Sequence, residues 1–116
     1  MQAENPIEAT WLVIENRVQP GELVTIQSGS EKYALVFTQP ESAAVFLSDL
    51  NDSNLSISSL ERPVLKDAFL TAAALIGATR VMFDYRSGQH DTVSAPLAGL
   101  TEFMRARIGG LPSSKV

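Results

Sequence analysis

The chain contains no cysteine. That excludes disulfides, thiolate zinc sites, cysteine nucleophiles and iron–sulfur clusters, and it suits a reducing, cytoplasmic setting. There is one histidine, His90, so a zinc site would need three carboxylate or water ligands, an unusual set. Basic residues are scarce at the start: residues 1–58 hold two of them against eight acidic side chains, a net of −6. Residues 59–116 carry +2, and the whole chain −4. Phosphate binding needs clustered Lys and Arg, so nucleic acid is not expected as a partner. Arg105 and Arg107 read as solvated arginines on a terminal helix. No apolar run is long enough for a membrane span: the most apolar stretch, 68–78, is short and contains Thr71. No secretory signal pattern opens the chain, and no membrane partner is expected.

Phosphate and nucleophile motifs are missing too. There is no G-x-S-x-G, no G-x-x-x-x-G-K-[ST], no G-x-G-x-x-G and no H-E-x-x-H. Asp49-Leu50-Asn51-Asp52-Ser53 opens like a calcium loop. It fails at the sixth position, Asn54 in place of glycine, and at the twelfth, Leu60 in place of glutamate. No catalytic residue, metal or cofactor is assigned on these grounds.

What is present is an ordinary globular composition, 45% apolar and 19% charged over 116 residues. That length fits one domain, 1–116, with a loose tail at 1–9 and a frayed end at 110–116. Trp11-Leu12-Val13-Ile14 is a bulky apolar run that favours a strand. A helix starting near Pro6, with Ile7, Trp11, Ile14 and Val18 on one stripe, competes with it. Pro20-Gly21 marks a turn into a second strand at Leu23–Ile26, read as the hairpin partner of the first. Tyr33–Phe37 is a third strand, apolar at both parities, so both of its faces need cover.

Thr38-Gln39-Pro40-Glu41 reads as a capping box before a helix lined by Ala43, Phe46, Leu47 and Leu50. Leu55 and Ile57 alternate with serines, as in a strand with one wet face. A second helix spans about 62–76 with Leu65, Ala68, Phe69, Ala72, Leu75 and Ile76 as its stripe and Gly77 as its stop. Val81–Phe83 is another buried strand. A polar loop, 86–94, follows, and Ser94 caps a last helix lined by Leu97, Leu100, Met104 and Ile108. The expected fold is α/β (α+β), order β-β-β-α-β-α-β-α. It has a mixed five-stranded sheet and helices mainly on one face.

Ligands of sheets with parallel neighbours tend to bind outside the carboxyl ends of the strands. Those ends offer Thr38 and Gln39 after the third strand and Asp84, Tyr85, Arg86 and His90 after the last. Two readings of function follow. The leading one is a non-catalytic interaction module that self-associates as a dimer, because three helices cannot easily cover two apolar faces. The alternative is a small-molecule-binding regulatory domain using the crevice near Thr38, Asp84 and Arg86. An Asp84–His90 acid–base pair is a third, enzymatic reading, and the sequence leans against it.

Two stretches also resemble a known family. Val36-Phe37-Thr38-Gln39-Pro40-Glu41-Ser42-Ala43-Ala44-Val45-Phe46-Leu47 and Gly77-Ala78-Thr79-Arg80-Val81-Met82-Phe83-Asp84 are similar to segments of the SseB N-terminal-like family. That family often continues with Asp-Pro, where this chain has Asp84-Tyr85. The resemblance implies a small α/β fold and a cytoplasmic bacterial setting, and it implies no catalytic residues.

Overall fold

The structure, a computed structural model, describes residues 6–19, 23–86 and 93–109. Six strands and three helices follow one another as β1 (Trp11–Asn16), β2 (Thr25–Ser28), β3 (Glu31–Val36), α1 (Pro40–Leu50), β4 (Leu55–Leu60), α2 (Pro63–Leu75), β5 (Arg80–Phe83), β6 (Val93–Pro96) and α3 (Leu97–Gly109). The class is mixed α/β as expected, but the single five-stranded sheet becomes a four-stranded sheet, β2-β3-β5-β6, and a two-stranded one, β1-β4. The β3–β5 pair is parallel and the other strand pairs are antiparallel. The sixth strand, β6, lies where a loop end and a helix cap were expected. Its alternate residues Val93 and Ala95 pair with Phe83 and Val81.

Residues 11–16 form a strand, so the bulk of the apolar run wins over the competing helical spacing. The expected β1–β2 hairpin does not form. β1 pairs with β4, and β2 pairs with β3 through the turn at Gly29, whose φ of +62° suits glycine. β1 instead enters the fork where the β2–β3 hairpin opens. Leu12 N–H donates to Phe37 O at 2.7 Å and Phe37 N–H to Leu12 O at 2.8 Å. On the other arm Glu15 bridges Leu23.

Alternation along the strands feeds two cores. Trp11, Val13, Ala34, Val36, Val81 and Phe83 face α2 and α3. Leu12, Ile14, Leu35, Phe37 and Met82 face α1, meeting Ala43, Phe46 and Leu47. Two helices therefore cover one face and one covers the other. Trp11 is fully buried, with Phe83 and Phe69 edge-on at 5.9 and 6.3 Å. Its indole N–H donates to Pro6 O at 2.9 Å. Residues 6–9, within the stretch read as a loose tail, are thus held to the core, and Ala9 is buried.

The second helix ends at Gly77, φ +95°, as its sequence implied. Its buried stripe is different. Lys66, Phe69, Leu70 and Ala73 are buried, while Leu65, Ile76 and Leu75 are exposed, Leu75 at 83%. The stripe turns by about one residue because Lys66 occupies a core position. Truncating Leu70 to alanine should therefore destabilise the fold by about 2–5 kcal/mol, whereas Leu75→Ala should stay within about 0.5 kcal/mol. Urea unfolding of the two variants separates the observed stripe from the one expected from spacing, which predicts a large loss at Leu75.

Candidate functional site

The ends of β3 and β5 do meet, because the two strands are parallel neighbours with Val36 opposite Phe83. Asp84 N–H donates to Val36 O at 2.8 Å, which continues the ladder by one rung. Asp84 then turns with φ +54°, a left-handed conformation that aspartate tolerates better than most residues. The turn aims its carboxylate back at the start of α1. Oδ1 accepts from Thr38 N–H at 2.8 Å and Gln39 N–H at 3.2 Å, and Oδ2 accepts from the Thr38 hydroxyl at 2.5 Å.

This corrects the capping box. Gln39, not Thr38, is the N-cap residue of α1, and its side chain makes no capping bond. The carboxylate that caps the chain entering α1 arrives from 45 residues away. Thr38 and Asp84 come together as the strand-end argument required. Their polar atoms are turned on one another, so the pair clasps the end of β5 to the entry of α1.

Arg86 is separate from the clasp. It lies with Tyr85, Ser42, Val45, Phe46 and Asp49 around a cavity of about 160 Å³ on the flank of α1. Tyr85 packs edge-on to Phe46 at 5.9 Å, which fixes the wall of the cavity. His90, the fourth residue expected at the strand ends, lies outside the described residues, as does any Asp84–His90 pair. Among the described residues no group of three or more His, Cys, Asp or Glu side chains is placed to hold a metal ion. No described helix is long and apolar enough to cross a membrane.

Two further features escaped the sequence reading. Lys66 is 3% exposed, and its ammonium donates to Ala9 O at 2.6 Å and Ile7 O at 3.3 Å, 5.1 Å from the centre of the Trp11 ring. Buried lysines need such partners. Its signal was available: Lys66 stands at i−3 and i−4 to Phe69 and Leu70. The second is Ser42, on the cavity wall and buried. The two arginines of the terminal helix are exposed, as expected, and each also makes a surface pair. Arg105 pairs with Asp67 at 3.1 Å, and Arg107 pairs with Glu8 and lies over Phe103.

Residues 8–100, most of the described chain, match the profile of a family described as "Protein of unknown function (DUF3234)". The chain belongs to that family. The resemblance to the SseB N-terminal-like family is thereby corrected. The first stretch holds the end of β3 with the entry and face of α1, and the second holds the stop of α2 and β5, so both consist of positions set by packing and turn geometry. No curated protein matches the chain. For this DUF3234 member the clasp makes a clear prediction. Asp84→Ala strands two N–H groups and puts alanine at positive φ, so it should cost about 1–3 kcal/mol. Asp84→Asn keeps an acceptor and suits the left-handed turn, and it should cost clearly less. Equal losses in chemical denaturation would mean that the clasp does not depend on the acceptor oxygen.

Proposed function

We propose that this DUF3234 protein is a non-catalytic interaction module that pairs with a second copy of itself through the free edge of β4. The observation that carries the reading is the character of that edge. Among the described elements β4 pairs with β1 alone. Its six residues, Leu-Ser-Ile-Ser-Ser-Leu, contain no charge and no proline. Exposed edges are normally blunted by charge, proline, bulges or shortness, because unpaired N–H and C=O groups invite another strand. The other edges are blunted: β2 and β6 have four residues each, and β6 ends in Pro96.

The register fixes which groups are free. Arg17 N–H donates to Asn54 O, and Glu15, Val13 and Trp11 lie opposite Ser56, Ser58 and Leu60. Hydrogen-bonded pairs recur every second residue, so those residues of β4 face β1. Leu55, Ile57 and Ser59 then present their backbone groups outward. An antiparallel pairing about a two-fold axis at Ile57 sets Leu55 against Ser59 of the second copy. The same register carries Arg62 of one copy towards Asp52 of the other, and neither residue has an ion pair within the described chain. Ile57, 37% exposed, gains an apolar neighbour.

The basis for self-association moves as a result. The apolar faces of β3 and β5 were expected to lack cover, yet Leu35, Val36, Val81 and Phe83 are all buried within the chain. The edge, rather than the face, calls for a partner. A cytoplasmic setting suits a cysteine-free chain with this surface. Light scattering after gel filtration at micromolar concentration should give the mass of a dimer. Ile57→Lys puts a charge at the axis and should yield a monomer with an unchanged circular dichroism spectrum, and Arg62→Glu should weaken the dimer. A monomeric wild type, or an Ile57→Lys variant of undiminished mass, would overturn the reading.

A further inference from the structure

We infer that α2 lies against α2 of the second copy as an antiparallel pair, with Ala68 of one helix facing Ala72 of the other. The inference rests on the pairing along β4 and adds a second layer to that contact. It starts from the surface of the helix. The exposed residues of α2 are Val64, Leu65, Ala68, Thr71, Ala74 and Leu75, and Thr71 is the one polar side chain among them. The two charged residues of the helix are turned elsewhere: Lys66 is buried, and Asp67 pairs with Arg105 of α3. A surface helix keeps polar residues on its solvent side, and a helix apolar all round is a buried one. A contiguous apolar patch of this kind marks an interaction surface.

The fold sets that patch beside the free edge. β1 joins β4 to the end of β3, and β5 and β6 follow on the other side of β3, so β4 and β6 are on opposite sides of the strand layer. α3 packs on β5 and β6, α2 packs on β4, and the two helices pack on each other. The flank of α2 turned away from α3 therefore looks out over β4. Asp67 marks the α3 side. Leu65, Ala68, Ala72 and Ile76 form a stripe on the other side, at i, i+3, i+7 and i+11. The first three of them, with Val13 and Leu60, line an open groove of about 240 Å³ over the β1–β4 ribbon.

The two-fold axis at Ile57 also sets the register. α2 follows β4 after Glu61 and Arg62 and runs back along it. Leu60 stands about 10 Å along the strand from Ile57. The same distance along a helix is about seven residues, which counted from Pro63 reaches Leu70, between Ala68 and Ala72. Antiparallel helices crossing there set Ala68 against Ala72 of the second copy and Leu65 against its Ile76. The small residues at the centre allow the close approach of packed helices, about 8–10 Å between axes, and the larger ones close the ends. Leu75 stands outside this seam. Area favours the contact as well. Stable interfaces bury about 1,200–2,000 Å² in total, more than two six-residue edges supply, and the stripe adds apolar area directly beside the edge. A lipid surface fits less well, because the stripe has no Lys or Arg to meet headgroups and the chain is acidic overall.

The absence of cysteine makes the test direct. Unlabelled Ala68→Cys is co-incubated with ¹⁵N-labelled Ala72→Cys and mildly oxidised. A disulfide-linked dimer of mixed mass should form about tenfold faster than when Ala74→Cys, on the α3 side, replaces Ala72→Cys. Leu65→Lys puts a charge into the seam and should raise the dissociation constant of the dimer about tenfold or more, with an unchanged circular dichroism spectrum. Suppose Ile57→Lys gives a monomer, yet the mixed disulfide forms no faster than the Ala74→Cys control and Leu65→Lys leaves the mass as it was. The edge pairing then stands and the helix contact is overturned. If instead the mixed disulfide forms and Ile57→Lys leaves the mass undiminished, the edge pairing falls and the helix contact stands. A wild type that is monomeric, whether or not it binds phosphatidylcholine vesicles, overturns both.

Discussion

Everything in this fold hangs on the backbone pair between Leu12 and Phe37. Without it the β1–β4 ribbon and the four-stranded sheet would share only the Glu15–Leu23 bridge and side-chain contacts. The two short hydrogen bonds place β1 inside the fork of the β2–β3 hairpin, with Trp11 and Val13 on one face and Leu12 and Ile14 on the other. One strand thus contributes to both cores. β1 can do so because it is apolar at both parities, and Trp11 anchors the larger core through Phe69 and Phe83. Once β1 is fixed there, β4 has only one side to pair on. The free edge that the functional reading uses is a consequence of that placement.

What was legible in the sequence was local. The strand at Trp11–Asn16, the helix after Pro40, the stop at Gly77 and the buried strand at Arg80–Phe83 follow from bulk, spacing and glycine conformation within a few residues. Pairing was less legible. The hairpin expected between β1 and β2 rested on a turn signal at Pro20-Gly21, and a turn signal says that the chain reverses, not which strand it returns to. β3 offered β2 a tighter return through Gly29, and β4 offered β1 six paired residues. β6 was missed because Val93-Ser94-Ala95-Pro96 is short and weakly apolar, and it becomes a strand only because β5 has an edge to pair with.

The site was half legible for the same reason. Bringing Thr38 near Asp84 needed only the parallel order of β3 and β5, which the β-α-β-α-β pattern implied. Knowing what they do there needed the φ of Asp84 and the direction of its carboxylate, which no spacing rule supplies. A carboxylate in a turn at a strand end reads equally as an acid, a ligand or a cap. Its two oxygens receive three donors from the chain, which is the geometry of a cap. Lys66 hid in the opposite way. A charged residue at a helix position reads as solvent-facing, so the stripe of α2 was drawn around it. The buried carbonyls of Ile7 and Ala9 give the ammonium an alternative to water.

α1 stands between the two surfaces of interest, since it packs on β1 and β4 and carries the cavity on its outer flank. Coupling between two sites requires an element with two arrangements that both sites can bias. α1 is poorly suited to that. The Asp84 carboxylate holds its entry, and Asn51 closes its end in a left-handed turn, donating to Leu47 O and Ser48 O. Between these ends Ala43, Phe46 and Leu47 are packed into the second core. Held at both ends and along its packed face, α1 shows no second arrangement that could link the cavity to β4.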